Sequence, residues 1–138
     1  MLEVMDVCDR LRAQCPLLGN RVEVGMDVEQ AKKQAINNAT ALVMDLAELA
    51  EAPATITDVH MQRLGARFGV LLALPDQRRR DRTTGLRALR AQVRAALLGW
   101  VPFADATETA FVSGQMNDAK AGVVWWLDVF ETHYLERA

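Results

Sequence analysis

The segment Leu86–Phe103, LRALRAQVRAALLGWVPF, decides how the rest of the chain is read. Leu86, Leu89, Val93 and Leu97 recur at spacings of three and four, which stacks them along one side of a helix. Arg87, Arg90 and Arg94 repeat the spacing one residue out of phase, so a basic ridge runs beside the apolar one. Thr83 or Thr84 is a natural N-cap, Gly99 can take the left-handed conformation that closes a helix, and Pro102 cannot continue one. The spacing therefore predicts a long helix over about 83–98. A helix with one apolar side needs an opposing surface, most simply a sheet.

Working outward from that helix, strand patterns lie on both sides of it. Downstream, Thr107–Met116 alternates, and Gly114, Asn117, Asp118 and Gly122 read as a connecting turn. In Val123–Tyr134, Val124, Trp126, Phe130 and Tyr134 share one face while Val123, Trp125, Leu127 and Val129 share the other. A strand apolar on both faces belongs in the middle of a covered sheet. Upstream, Thr57–Leu74 alternates up to Pro75, with Gly65 and Gly69 marking a bulge or a close contact.

Thr40–Glu51 fits either period, and its alanine and glutamate content favours helix. Asp27 followed by Gln30 has capping-box spacing and opens a short helix, Val28–Ile36. Val22 and Val24 form a short strand, and Leu2–Gln14 is an amphipathic helix stopped near Pro16. The sum is an α+β fold: a twisted, mainly antiparallel sheet of about four to five strands, with the N-terminal and long helices packed against it. At 138 residues one domain, 1–138, is expected.

Composition narrows the function. A net charge of −2 and a pI near 5.7 argue against nucleic-acid binding through overall charge. The acidic N-terminus and the lack of a long apolar run predict neither a secretory signal nor a membrane span. Cys8 and Cys15, two helical turns or roughly 10 Å apart if on one helix, are too distant for a disulfide and read as buried thiols.

No arrangement of residues carries chemistry. The glycines of Gly65–Gly69 lack phosphate-loop spacing. His60 and His133 stand apart as structural histidines, and Glu131 with His133 supplies too few ligands for a metal. Asp45, Glu48 and Glu51 could share one solvated helix face, and Ser113 has no adjacent base. No catalytic, metal or cofactor residue is assigned, and the chain is read as a non-enzyme. What remains is the cluster QRRRDRTT, Gln77–Thr84. Arg78, Arg79, Arg80 and Arg82 are either a solvated loop broken by Asp76 and Asp81, or a surface for acidic protein groups or phosphates.

The chain also resembles a known family. LLGWVP after the arginine-bearing helix, together with the C-terminal WWLDVFETHY, is similar to the tail terminator proteins of long-tailed bacteriophages and prophages. RVEVGMDVEQAKK (21–33) and HMQRLGARFGVLLAL (60–74) extend the likeness in the same order. The resemblance implies a mainly antiparallel sheet with packed helices and makes ALVMDLAEL (41–49) a strand.

For function it implies a ring, usually a hexamer, on the head-proximal end of the tail tube in the virion, assembled in the host cytoplasm. Its partners would be further copies of itself, the tail tube protein and the head–tail connector, with DNA only passing through the lumen. The triple arginine within Asp76–Thr84 is not matched, so its role does not carry over. Arg78, Arg79, Arg80 and Arg82, with Arg87 and Arg90, are the candidate subunit-interface or lumen residues. The competing expectations are another neck component, such as a connector or head-completion protein, and a cellular non-enzymatic binding module.

Overall fold

Two-faced burial governs how the strands are arranged. The computed structural model describes the backbone of residues 1–56, 59–75, 79–120 and 122–137, and the side chains of these except 54–56, 59, 60 and 79–84. The elements are α1 (Val4–Gln14), β1 (Val22–Val24), α2 (Val28–Ala31), β2 (Thr40–Ala50), β3 (Ala54–Ile56), β4 (Val59–Pro75), α3 (Arg79–Leu97), β5 (Ala110–Lys120) and β6 (Val123–Arg137).

Five strands lie side by side in the order β1-β2-β4-β6-β5, and the short β3 pairs with the start of β4. All pairs are antiparallel except β1 with β2. The doubly apolar β6 is central, as its pattern requires, between β4 and β5.

One face of the sheet carries the larger core. Val43, Phe68, Val70, Leu72 and Phe130 meet Val7 and Leu11 of α1 and Leu89, Val93 and Leu97 of α3. On the other face Leu42, Met44, Leu71 and Trp125 pack with Ala31, Val28 and Ile36. This explains why Thr40–Ala50 is a strand although its composition favours helix. Ala41, Leu42, Val43 and Met44 are all buried, two to each face, which a pleated strand between two cores allows and a one-sided helix does not.

Other elements depart from expectation in their bounds. The long helix starts at Arg79, so Thr83 and Thr84 lie inside it; once a turn has formed, each further residue adds a hydrogen bond, and arginine is a good helix former. The second helix stops at Ala31 rather than Ile36 because its apolar face is too thin to extend it, although Asp27 caps it as expected by accepting from Gln30 N. Gly114, Asn117 and Asp118 belong to β5, and of the expected turn Gly122 remains, at φ 75°.

Gly65 and Gly69 mark close contacts. Pairing of β4 with β6 is unbroken there, and a Cβ on Gly69 would lie 2.9 Å from Leu127 Cδ1. Register shifts lie elsewhere, on β2 between Asp45 and Ala47 and on β5 between Phe111 and Ser113 and between Met116 and Asp118.

The helix end LLGWVP is tied down by hydrogen bonds. Gly99, at φ 79°, donates its N–H to Thr109 O, and Thr109 donates from both N and Oγ1 to Trp100 O. Arg10 of α1 donates from Nε to Ala96 O at 2.9 Å, satisfying one of the carbonyls left open at the end of α3. Its guanidinium also sits 5.8 Å from the Trp100 ring centre.

Cys8 and Cys15 are free and fully buried, and burial raises both thiol pKa values, Cys15 from 9.0 to about 11. Burial also raises Tyr134, from 10.0 to about 12, helped by its hydrogen bond to Glu48. In each case the folded state holds the proton longer than the unfolded chain. Stability should therefore fall as pH rises from about 9 to 11 through Cys15 and from about 10 to 12 through Tyr134. Urea midpoints measured between pH 8 and 12 should follow this decline, and Tyr134→Phe should flatten its upper part.

Candidate functional site

The six candidate arginines divide by position. Arg78 lies outside the described residues. Arg79, Arg80 and Arg82 stand on the first turns of α3 rather than in a loop, and their side chains lie outside the described residues. Arg87 is exposed. Arg90 turns inward: Nη2 reaches Asp128 Oδ1 at 2.9 Å and Nε lies 3.2 Å from Oδ2.

Asp128 is fully buried on β6, and it also accepts from Trp126 Nε1 at 2.9 Å. The Arg90 guanidinium lies 4.3 Å from the Trp126 ring centre, so charge pairing and cation–π contact pin α3 to the sheet together. Gly114 on the adjacent strand makes room, since a Cβ there would collide with Asp128 Oδ1 and lie 2.8 Å from Arg90 Nη2. The signal in the sequence is Asp128 itself, a lone carboxylate within VVWWLDVF whose burial calls for a charge partner or hydrogen-bond donors. Arg94, one turn further along α3, lies 5.7 Å from the Phe111 ring on β5.

Asp45 and Glu48 sit on β2, not on a helix. Their β4 partners, Phe68 and Ala66, belong to the helix-side core, so both carboxylates project on that side of the sheet. Glu48 accepts from Tyr134 OH. The Asp45 carboxyl is pushed up by partial burial and by the negative charges of Glu3 and Glu48. The helix side of the molecule thus carries acid at the β2 edge and arginine near the β5 edge.

The opposite face holds a different group. Glu131 accepts from Arg67 Nε at 2.9 Å and lies 2.7 Å from His133 Nε2. Gly65 is the floor beneath them, where a Cβ would come within 2.9 Å of Glu131 Oε1. The pair expected from spacing does meet, joined by an arginine rather than by further metal ligands. His60 pairs through its backbone with Thr55, and its side chain lies outside the described residues.

A shallow hollow of about 430 Å³ gathers Lys32, Lys33 and Lys120 above Trp125, but Lys32 is already matched by Glu29 at 3.1 Å and Asp118 at 3.2 Å. Among the described residues, no group of three or more His, Cys, Asp or Glu side chains is placed to hold a metal, and no helix is long and apolar enough to cross a membrane.

Comparison with known proteins agrees with the likeness noted in the sequence. The family model described as phage tail terminator protein matches residues 1–138. Among solved structures, a chain from the virion of a native gene transfer agent particle superposes with a TM-score of 0.66 at 17% identity, over 98% of this chain and 96% of that one. At that identity the likeness is one of fold. No curated protein matches the sequence.

Proposed function

The chain belongs to the phage tail terminator protein family, and from that premise we propose that it forms a ring, six-membered by family analogy, on the head-proximal end of a tail tube. There it stops addition of tube subunits and offers the surface to which the head's connector binds. The observation that carries this reading is the family match across the whole chain. The character of the molecule supports it. Apart from internal ties such as Arg90 with Asp128, it presents exposed charged side chains such as Arg87, as suits a protein that works through contacts with other subunits.

In this reading the protein is structural and non-enzymatic, and it is a component of the virion tail. Its partners are its own copies, the tube protein and the connector, with DNA passing through the lumen. Arg87 and the arginines at 78–82 remain the candidates for the subunit boundary or lumen wall, whereas Arg90 has an internal role.

Deleting the gene tests the reading. Electron micrographs of the lysate should show overlong tails without heads. Tails of normal length beside unjoined, filled heads would instead identify a connector or completion protein, and normal virions would remove the proposal.

A further inference from the structure

We infer that copies of this chain join edge to edge through their sheets, the open edge of β2 at Asp45–Ala50 in one copy pairing with the β5 edge of the next. This rests on the ring reading above and supplies its junction. β1 covers only Ala41, Leu42 and Val43 of β2. Among the described residues, no strand pairs with that edge of β2 beyond them, and none pairs with the outer edge of β5. Rows of unpaired backbone N–H and C=O groups at two edges are templates for another strand. Exposed apolar side chains flank both edges, Leu46 and Leu49 of β2 on the face away from α1 and α3, and Phe111 and Met116 of β5 on the α1 and α3 face.

Charge selects which edges meet. Glu3, Asp45 and Glu48 cluster on the helix side at the β2 edge, and Arg94 lies on the helix side over Phe111 of β5, with the exposed Arg87 about two turns earlier on the same ridge. A two-fold contact of β5 with β5 would set arginine against arginine, and β2 with β2 would set acid against acid. Only the head-to-tail contact sets acid against arginine, and repeated head-to-tail contacts form a ring when the rotation between copies is a whole fraction of a turn.

Strand direction agrees. β2, β4, β6 and β5 alternate in direction, so β2 and β5 run opposite ways. A neighbour related by rotation about a ring axis therefore presents its β2 antiparallel to β5. Asp45 is level with Phe68, Phe130 and Phe111, so Asp45–Ala50 reaches past the start of β5, and the junction must be staggered along the strands. A stagger is what closing a sheet into a barrel requires.

Two charge-reversed proteins test this by sedimentation velocity and negative-stain microscopy, with and without purified tail tubes. The first carries Glu3→Lys and Asp45→Lys, the second Arg87→Glu and Arg94→Glu. Each alone should need about tenfold or more higher concentration to assemble than the wild type, while an equimolar mixture should recover to within about threefold, because alternating copies set opposite charges at every junction, acid against arginine at one and lysine against glutamate at the next. Circular dichroism checks that each variant is folded.

Should either variant fail to fold, single cysteines at Leu46 or Leu49 in one copy and at Ser113 or Gln115 in another, all on the face away from α1 and α3, should form mixed disulfides between assembled copies. Rings that persist in both charge variants, or assembled copies in which none of these pairs cross-links, would overturn the edge junction and leave the ring intact. Wild-type protein that stays monomeric even with tubes present would overturn the ring reading and the junction together.

Discussion

Arg90→Ala should destabilise the folded protein by about 3–5 kcal/mol, the cost of leaving a buried carboxylate without its cation. Asp128 is fully buried on β6, an interior strand beside the edge strand β5, and its only charged partner among the described residues is Arg90. Removing the guanidinium also strips the cation from the Trp126 face and leaves a void beside Gly114, so β5, β6 and α3 loosen together. Urea unfolding followed by tryptophan fluorescence measures the loss as a lower midpoint.

A second variant identifies the cause. Arg90→Met with Asp128→Asn removes both charges but keeps an acceptor for Trp126 Nε1, and should recover roughly half or more of the loss. A drop below about 1 kcal/mol for Arg90→Ala would mean that Asp128 is satisfied without it.

Phe130→Ala should cost a similar amount, about 3–5 kcal/mol, for a different reason. Phe130 is fully buried on β6 and holds a row of three rings across the sheet. It stacks on Phe68 of β4 at 5.7 Å and takes the edge of Phe111 of β5 at 5.7 Å. Truncation opens a cavity that the neighbouring strands cannot collapse into without breaking their ladders, and it ends both aromatic contacts. Thermal unfolding should shift down by about 10 °C or more. Phe111→Ala, at a ring already 38% exposed, is the control and should cost much less. Equal losses for the two would show that the row does not depend on its central member.

Much of this architecture can be read from local pattern because the pattern answers to one face or to two. The ridge Leu89, Val93 and Leu97 is buried as its spacing requires, and the doubly apolar β6 is central. Gly99 and Asp27 end and begin their helices as their chemistry dictates. Arginine spacing, by contrast, cannot separate Arg90 from Arg87. Both lie on one ridge, and which of them turns inward depends on Asp128, thirty-eight residues away in sequence.

The sequence by itself therefore determined the α+β class, the packing ridge of α3 and the central place of β6, since burial periodicity is a property of a single segment. Local pattern left Thr40–Ala50 open between helix and strand; the family resemblance pointed to the strand that the fold adopts. The tertiary structure alone turned Arg90 from a surface charge into an internal tie and separated the acidic edge of β2 from the arginine-flanked edge of β5. Helix propensity differs by less than about 1 kcal/mol per residue among ordinary residues, so burial of Ala41–Met44 between two cores overrides it. A buried carboxylate is costly unless it is paired, hydrogen-bonded or protonated, and only the folded chain brings Arg90 within reach of Asp128.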